Sequence, residues 1–173
     1  SPGIMIVSKI IDALLRIDES RGCNVLRAYE NMWGDILGLD SICSVCEYQD
    51  PIHLATIVEK LDAEVIFGRT DITIWGYTVI DSMKAIVEML PDQFQKIYGR
   101  STARALIFTG AHSGKSPMVA VRVSNLKPGA VVLQGITPFE VDPIAVKIAQ
   151  VENIPLLTTH FSVDELTSAL SKG

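Results

Sequence analysis

Ala105-Leu-Ile-Phe-Thr-Gly-Ala-His-Ser-Gly-Lys-Ser116 runs from a short apolar stretch through a glycine-bearing turn to the start of a helical pattern, and the fold is read outward from it. Two more apolar runs of the same kind follow, Val131–Leu133 and Leu156–Thr158. The three strands alternate with helices predicted over 117–125, 142–151 and 162–171. Such alternation implies a parallel sheet joined by crossover helices. The near-continuous apolarity of Ala130-Val-Val-Leu133 suits a strand covered on both faces. Helix starts are marked chemically: Asp142-Pro143 supplies an N-cap followed by proline, and Ser162-x-x-Glu165 forms a capping box.

Upstream of this block, Asp81–Leu90 repeats apolar residues at helical spacing until Pro91 stops it, and a shorter helix is expected through Gln93–Tyr98. Strands are expected at Glu64–Phe67, closed by Gly68, and at Ile72–Trp75, with a helix over Ile52–Leu61. Ser8–Ile17 reads as a short amphipathic helix, and another is expected around 24–33. Residues 22–50 otherwise show no sustained period. The expected fold class is therefore α/β: a three-layer arrangement with a mostly parallel sheet and crossover helices, plus a short N-terminal helical extension. The extension is expected over residues 1–50 and the α/β domain over 51–173.

A length of 173 residues with 48% apolar content favours one domain with a sizeable core. No run of eighteen apolar residues occurs and no secretory leader pattern is present, so no membrane association is expected. Three cysteines, an odd number, suit reduced thiols and a cytoplasmic location. A net charge of −5 argues against a nucleic-acid partner, which clustered Lys and Arg would announce. The charge is uneven, with four basic and eight acidic residues in 1–50 against six and five in 101–173. An anion site is thus expected in the C-terminal half.

The turn Gly110–Ser116 almost spells a P-loop, but the position five before Gly114 is Thr109, and Gly110 is one residue too close. Val131-Val-Leu-Gln134 also ends in glutamine where a Walker-B strand carries aspartate. Binding of phosphate without turnover is the expectation, with backbone N–H groups at a helix start, Lys115 as a point charge and Ser116 as a further donor. His112 and His160 fall just past strand C-termini, the edge where parallel sheets bind ligands. The candidate ligand-binding residues are Gly110, His112, Ser113, Gly114, Lys115, Ser116 and His160. Cys43-x-x-Cys46 has the spacing of half a zinc site or a redox dithiol, yet neither set is complete, and structural cysteines are favoured. Asp71, Asp81 and Asp142 make a metal site only if folding assembles them. No metal and no cofactor is expected.

Several segments resemble the DRTGG domain family: Ile57-Val-Glu-Lys-Leu-Asp-Ala-Glu-Val-Ile-Phe-Gly68, Gly76-Tyr-Thr-Val-Ile-Asp81, Thr109–Gln134, and Ala149–Thr158 with Phe161-Ser-Val-Asp-Glu-Leu166. The resemblance covers about residues 53–171, although the Asp-Arg-Thr-Gly-Gly string is replaced here by Arg69-Thr-Asp71. It implies a small α/β regulatory module of the kind found beside CBS domains.

The leading expectation is a non-catalytic regulatory or ligand-sensing domain that forms a homodimer and binds a small anionic metabolite or nucleotide at the Gly110–Lys115 turn. The alternative is an enzyme acting on a phosphorylated or nucleotide substrate, with Lys115 as phosphate ligand and His112 or His160 as proton carrier. A transcription factor whose N-terminal eighty residues bind DNA stands third, because that half is acidic.

Overall fold

The computed structural model describes residues 42–89 and 91–171. The helices expected at 8–17 and 24–33 lie outside the described residues. The elements are β1 (Cys43–His53), α1 (Leu54–Lys60), β2 (Glu64–Phe67), β3 (Thr73–Asp81), α2 (Ser82–Glu88), a 3-10 segment (Pro91–Tyr98), β4 (Ala105–Thr109), α3 (Lys115–Val123), β5 (Ala130–Gln134), a 3-10 turn (Pro138–Glu140), α4 (Pro143–Glu152), β6 (Leu156–Thr159) and α5 (Val163–Ser171).

Six strands form one sheet in the order β1-β3-β4-β5-β6-β2. Strands β3 to β6 are parallel and adjacent in chain order, while β1 and β2 close the two edges antiparallel to β3 and β6. Every residue of β4, β5 and β6 is buried, which fits strands covered on both faces. One side of the sheet packs Leu106, Phe108, Val131 and Leu133 against Ile97 of the first 3-10 segment, Met118 and Val121 of α3, and Ala145 and Ile148 of α4. The other packs Ile74, Ala105, Ile107, Val132 and Leu157 against Leu54 and Ile57 of α1 and Leu166 and Leu170 of α5. The result is the expected three-layer α/β architecture.

Three expectations shift. The sheet begins at Cys43, ahead of the expected boundary at 51, because Cys43–Glu47 pair with Gly76–Ile80. Residues 52 and 53 complete this strand, so the helix starts at Leu54 and not at Ile52. The strand expected over 72–75 extends to Asp81, whose carboxylate then caps α2 by accepting from the Lys84 N–H at 3.1 Å.

Candidate functional site

Adjacent parallel strands send their following loops to one edge of the sheet. The loops after β4, β5 and β6 all leave from there, and the turn Gly110–Gly114 is the first of them. Gly110 and Gly114 take left-handed backbone conformations, with φ of +63° and +78°. A Cβ on Gly114 would strike Leu133 Cδ1, so β5 itself dictates glycine at the N-cap of α3. Gly110 and Gly135 have no heavy atom near a built Cβ and border open space.

Gln134 organises this edge. Its Oε1 accepts from the Gly110 N–H at 2.8 Å, and its Nε2 donates to the Phe161 carbonyl at 2.9 Å. The backbone carbonyl of Gln134 also accepts from Ala111 N–H at 3.2 Å. One nearly buried amide side chain at the end of the central β5 thus ties the turn after β4 to the turn after β6. The turn is pinned on its far side by the Asp142 N–H, which donates to the Ser113 carbonyl at 2.8 Å. Ser113 Oγ accepts from the Lys115 N–H at 3.4 Å.

These contacts decide what remains for a ligand. The N–H groups of Gly110 and Ala111 are taken by Gln134 and that of Lys115 by Ser113 Oγ, and Pro117 has none to offer, so these expected backbone donors are not free for an anion. The side chains of His112, Lys115 and Ser116 are exposed. Among the described residues, those of His112 and Lys115 meet no hydrogen-bonding or ionic partner. His160 is placed apart from them: its Nε2 lies 3.0 Å from Asp62 Oδ2 at the surface, and its ring meets Phe161 edge-on at 5.2 Å. The structure therefore joins Gly110, His112, Ser113, Gly114, Lys115 and Ser116 in one turn and links His160 to it only indirectly, through Gln134 and Phe161.

The carboxylates near this edge are committed elsewhere. Asp142 Oδ1 caps α4 by accepting from Ile144 N–H at 2.8 Å, and Asp81 caps α2. Glu140 accepts from the Thr137 N–H and hydroxyl, both at 3.0 Å, and these bonds hold its carboxyl below the usual range. Asp71 pairs with Arg69 in solvent, and that bond likewise lowers its carboxyl pKa. The three aspartates considered for a metal site thus serve separate local roles. No cluster of three metal-ligating side chains occurs among the described residues.

Cys43 and Cys46 fall on one strand at a spacing of three, which puts their side chains on opposite faces. Cys43 packs toward the α2–α4 side and Cys46 toward the α1–α5 side. Within one chain they cannot share an ion or close a disulfide across the sheet.

Two residues at this edge escaped the sequence reading. Gln134 was weighed only as an absent aspartate, although a polar residue ending an apolar strand at the ligand-binding edge is itself a signal. Phe139, on the loop after β5, is 98% exposed, three residues from the Asp142 amide that holds the turn. A large aromatic left wholly in solvent on the loop after β5 offers contact area at this edge of the sheet.

No family model matches the chain. A crystal structure of the CBS and DRTGG domains of the regulatory region of Clostridium perfringens pyrophosphatase, complexed with the activator diadenosine tetraphosphate, is similar over 96% of this chain and 56% of its own. The identity is 14% and the TM-score 0.49, a level that supports no functional argument. Sequence relatives are much nearer. An uncharacterised HTH-type transcriptional regulator of Methanocaldococcus jannaschii is 44% identical over 173 residues, covering 99% of this chain and 72% of the relative. Another from Archaeoglobus fulgidus is 39% identical, covering 99% and 73%. These names overturn the expectation of no nucleic-acid partner and raise the transcription-factor reading from third place. Net charge misled because a DNA footprint depends on a local cluster of basic groups and not on the sum over the chain. The chain belongs to this family of HTH-type transcriptional regulators.

Proposed function

We propose that this chain is the ligand-sensing part of a DNA-binding regulator, with a small anionic metabolite or nucleotide bound at the turn after β4. The observation that carries the reading is the exposed pair Lys115 and His112, without partners among the described residues, on a turn whose shape Gln134, Leu133 and Asp142 fix from behind. A turn of fixed shape that carries the uncommitted Lys115 ammonium, with the His112 ring beside it as a hydrogen-bonding group, is what meets the anion. The open space beside Gly110 and Gly135 admits the ligand, and Phe139 offers a face for a base or other planar group. A DRTGG-like regulatory module fits this role. DNA is the partner whose binding the ligand would modulate, as the relatives' name implies. Turnover is the weaker reading: His160 is engaged with Asp62, and His112, the histidine beside Lys115, has no carboxylate among the described residues to orient its ring.

The test is a thermal-shift comparison of the wild type and Lys115→Ala against nucleotides and phosphorylated metabolites. Ligand at about 100 times its Kd adds about 2.7 kcal/mol, which for a chain of this size raises Tm by roughly 5–10 °C. The expected result is a shift in the wild type that Lys115→Ala abolishes. No shift with any anionic ligand, or one that survives in the variant, overturns the site.

The same reading includes a homodimer, because helix-turn-helix proteins commonly bind paired half-sites as dimers. Sedimentation velocity is expected to give twice the 18.9 kDa chain mass; a purely monomeric species at tens of micromolar rules it out.

A further inference from the structure

A cavity of about 380 Å³ opens between α2, the 3-10 segment Pro91–Tyr98 and α3, roofing the end of β4. Its wall is apolar, with Ile86, Met89, Phe94, Phe108, Pro117 and Ala120 contributing, and no charged side chain lines it among the described residues. The polar residues Gln95, Ser116 and Asn125 are solvent-exposed, and Ser124 is half-buried with its Oγ accepting from the Leu126 N–H at 3.3 Å. Ser82 differs from them. It is 7% exposed, lines the same cavity, and its Oγ has no hydrogen-bond partner among the described residues.

An unsatisfied buried hydroxyl costs about 1–3 kcal/mol, so a ligand that brings a hydrogen-bonding group to it gains that much over one that does not. A lone water is a poor candidate, since a buried water typically needs two to four polar contacts. The volume falls in the range of about 300–1,000 Å³ that small-molecule sites occupy, and an apolar wall with a few polar anchors is their usual composition. Ile86 and Val123, 62% and 77% exposed, line the cavity too, so apolar surface continues from it onto α2 and α3.

We propose that this cavity is a second ligand site, taking a small uncharged molecule, aromatic or aliphatic, whose single hydroxyl or carbonyl group pairs with Ser82 Oγ. The site borders the anion site at Ser116, which lines the cavity, but its anchor is Ser82 and it uses neither Lys115 nor His112.

Titration of 15N-labelled protein with 2-naphthol and with naphthalene tests it. Both probes are expected to move amide resonances confined to α2, residues 91–98 and α3. Ser82→Ala should weaken 2-naphthol about 3- to 10-fold, the worth of one hydrogen bond, and leave naphthalene unchanged. Ala120→Leu, which narrows the cavity from a helical position, should weaken both probes, and Lys115→Ala should weaken neither. Shifts scattered over the molecule, equal effects of Ser82→Ala on the two probes, or unaltered binding in Ala120→Leu would each overturn the proposal.

Discussion

Arg104 is fully buried, yet its guanidinium is met on every side: Nη2 pairs with Glu47, Nε donates to the Ser101 carbonyl at 2.7 Å, and Nη1 donates to Thr78 Oγ1 at 3.2 Å. Glu47 Oε1 also accepts from the Arg100 N–H at 3.0 Å. Removing one member strands the other as an unpaired buried charge, so Arg104→Ala and Glu47→Ala are each expected to cost about 3–5 kcal/mol in urea unfolding. The double variant should lose less than the sum, which a double-mutant cycle measures. None of this was legible in sequence, because Arg104 sat at the margin of an apolar run and Glu47 in the stretch without period. A buried ion pair is set by two residues 57 positions apart, and no local pattern encodes it. Tyr98 gives a second residue-level prediction. Burial pushes its phenol from 10.0 up to about 12, while its hydroxyl donates to the Leu126 carbonyl at 3.0 Å. The neutral form is favoured by folding, so this contribution is complete below pH 10 and is lost as pH rises toward 12. Stability measured across that window should fall more steeply in the wild type than in Tyr98→Phe.

The elements that read clearly are those buried on both faces. Strands β4, β5 and β6 have no exposed positions, so their apolar runs were unbroken, and Asp142 and Ser162 marked the helices that follow. Strand β1 was illegible for a converse reason. It is an edge strand with an irregularity between Glu47 and Ile52, exposed residues along its second half and Pro51 within it, all of which break alternation. At the candidate site the turn itself was visible in the sequence, but its support was not. Gln134→Leu keeps the size and removes both side-chain bonds to Gly110 and Phe161. It is expected to destabilise the protein by about 1–3 kcal/mol, and to speed hydrogen exchange at the Gly110 amide selectively. Exchange at Gly110 no faster than in the wild type would show that the turn holds without it.

For the molecule as a whole, net charge was the least informative reading, because it averages over surfaces that act separately. The topology carries more. Chain leaving β1 crosses the sheet to place β2 at the opposite edge, then returns to place β3 beside β1. Glu64 and Val65 therefore pair with Thr158 and Leu157, Phe67 with Leu156, and Thr159 Oγ1 donates to the Leu61 carbonyl at 2.7 Å, 98 residues away. Gly68 is pressed so closely on Pro155 that a Cβ there would lie 2.6 Å from its Cα. During synthesis β2 leaves the ribosome long before β6, its only strand partner among the described residues, exists, and it must wait, unpaired, until β6 has been translated. At about 5–20 residues per second that interval lasts on the order of 5–20 seconds. Nascent chains stalled before Leu156 should thus remain protease-sensitive at Glu64–Phe67, and the sheet is sealed only when β6, the last of its six described strands, has been made.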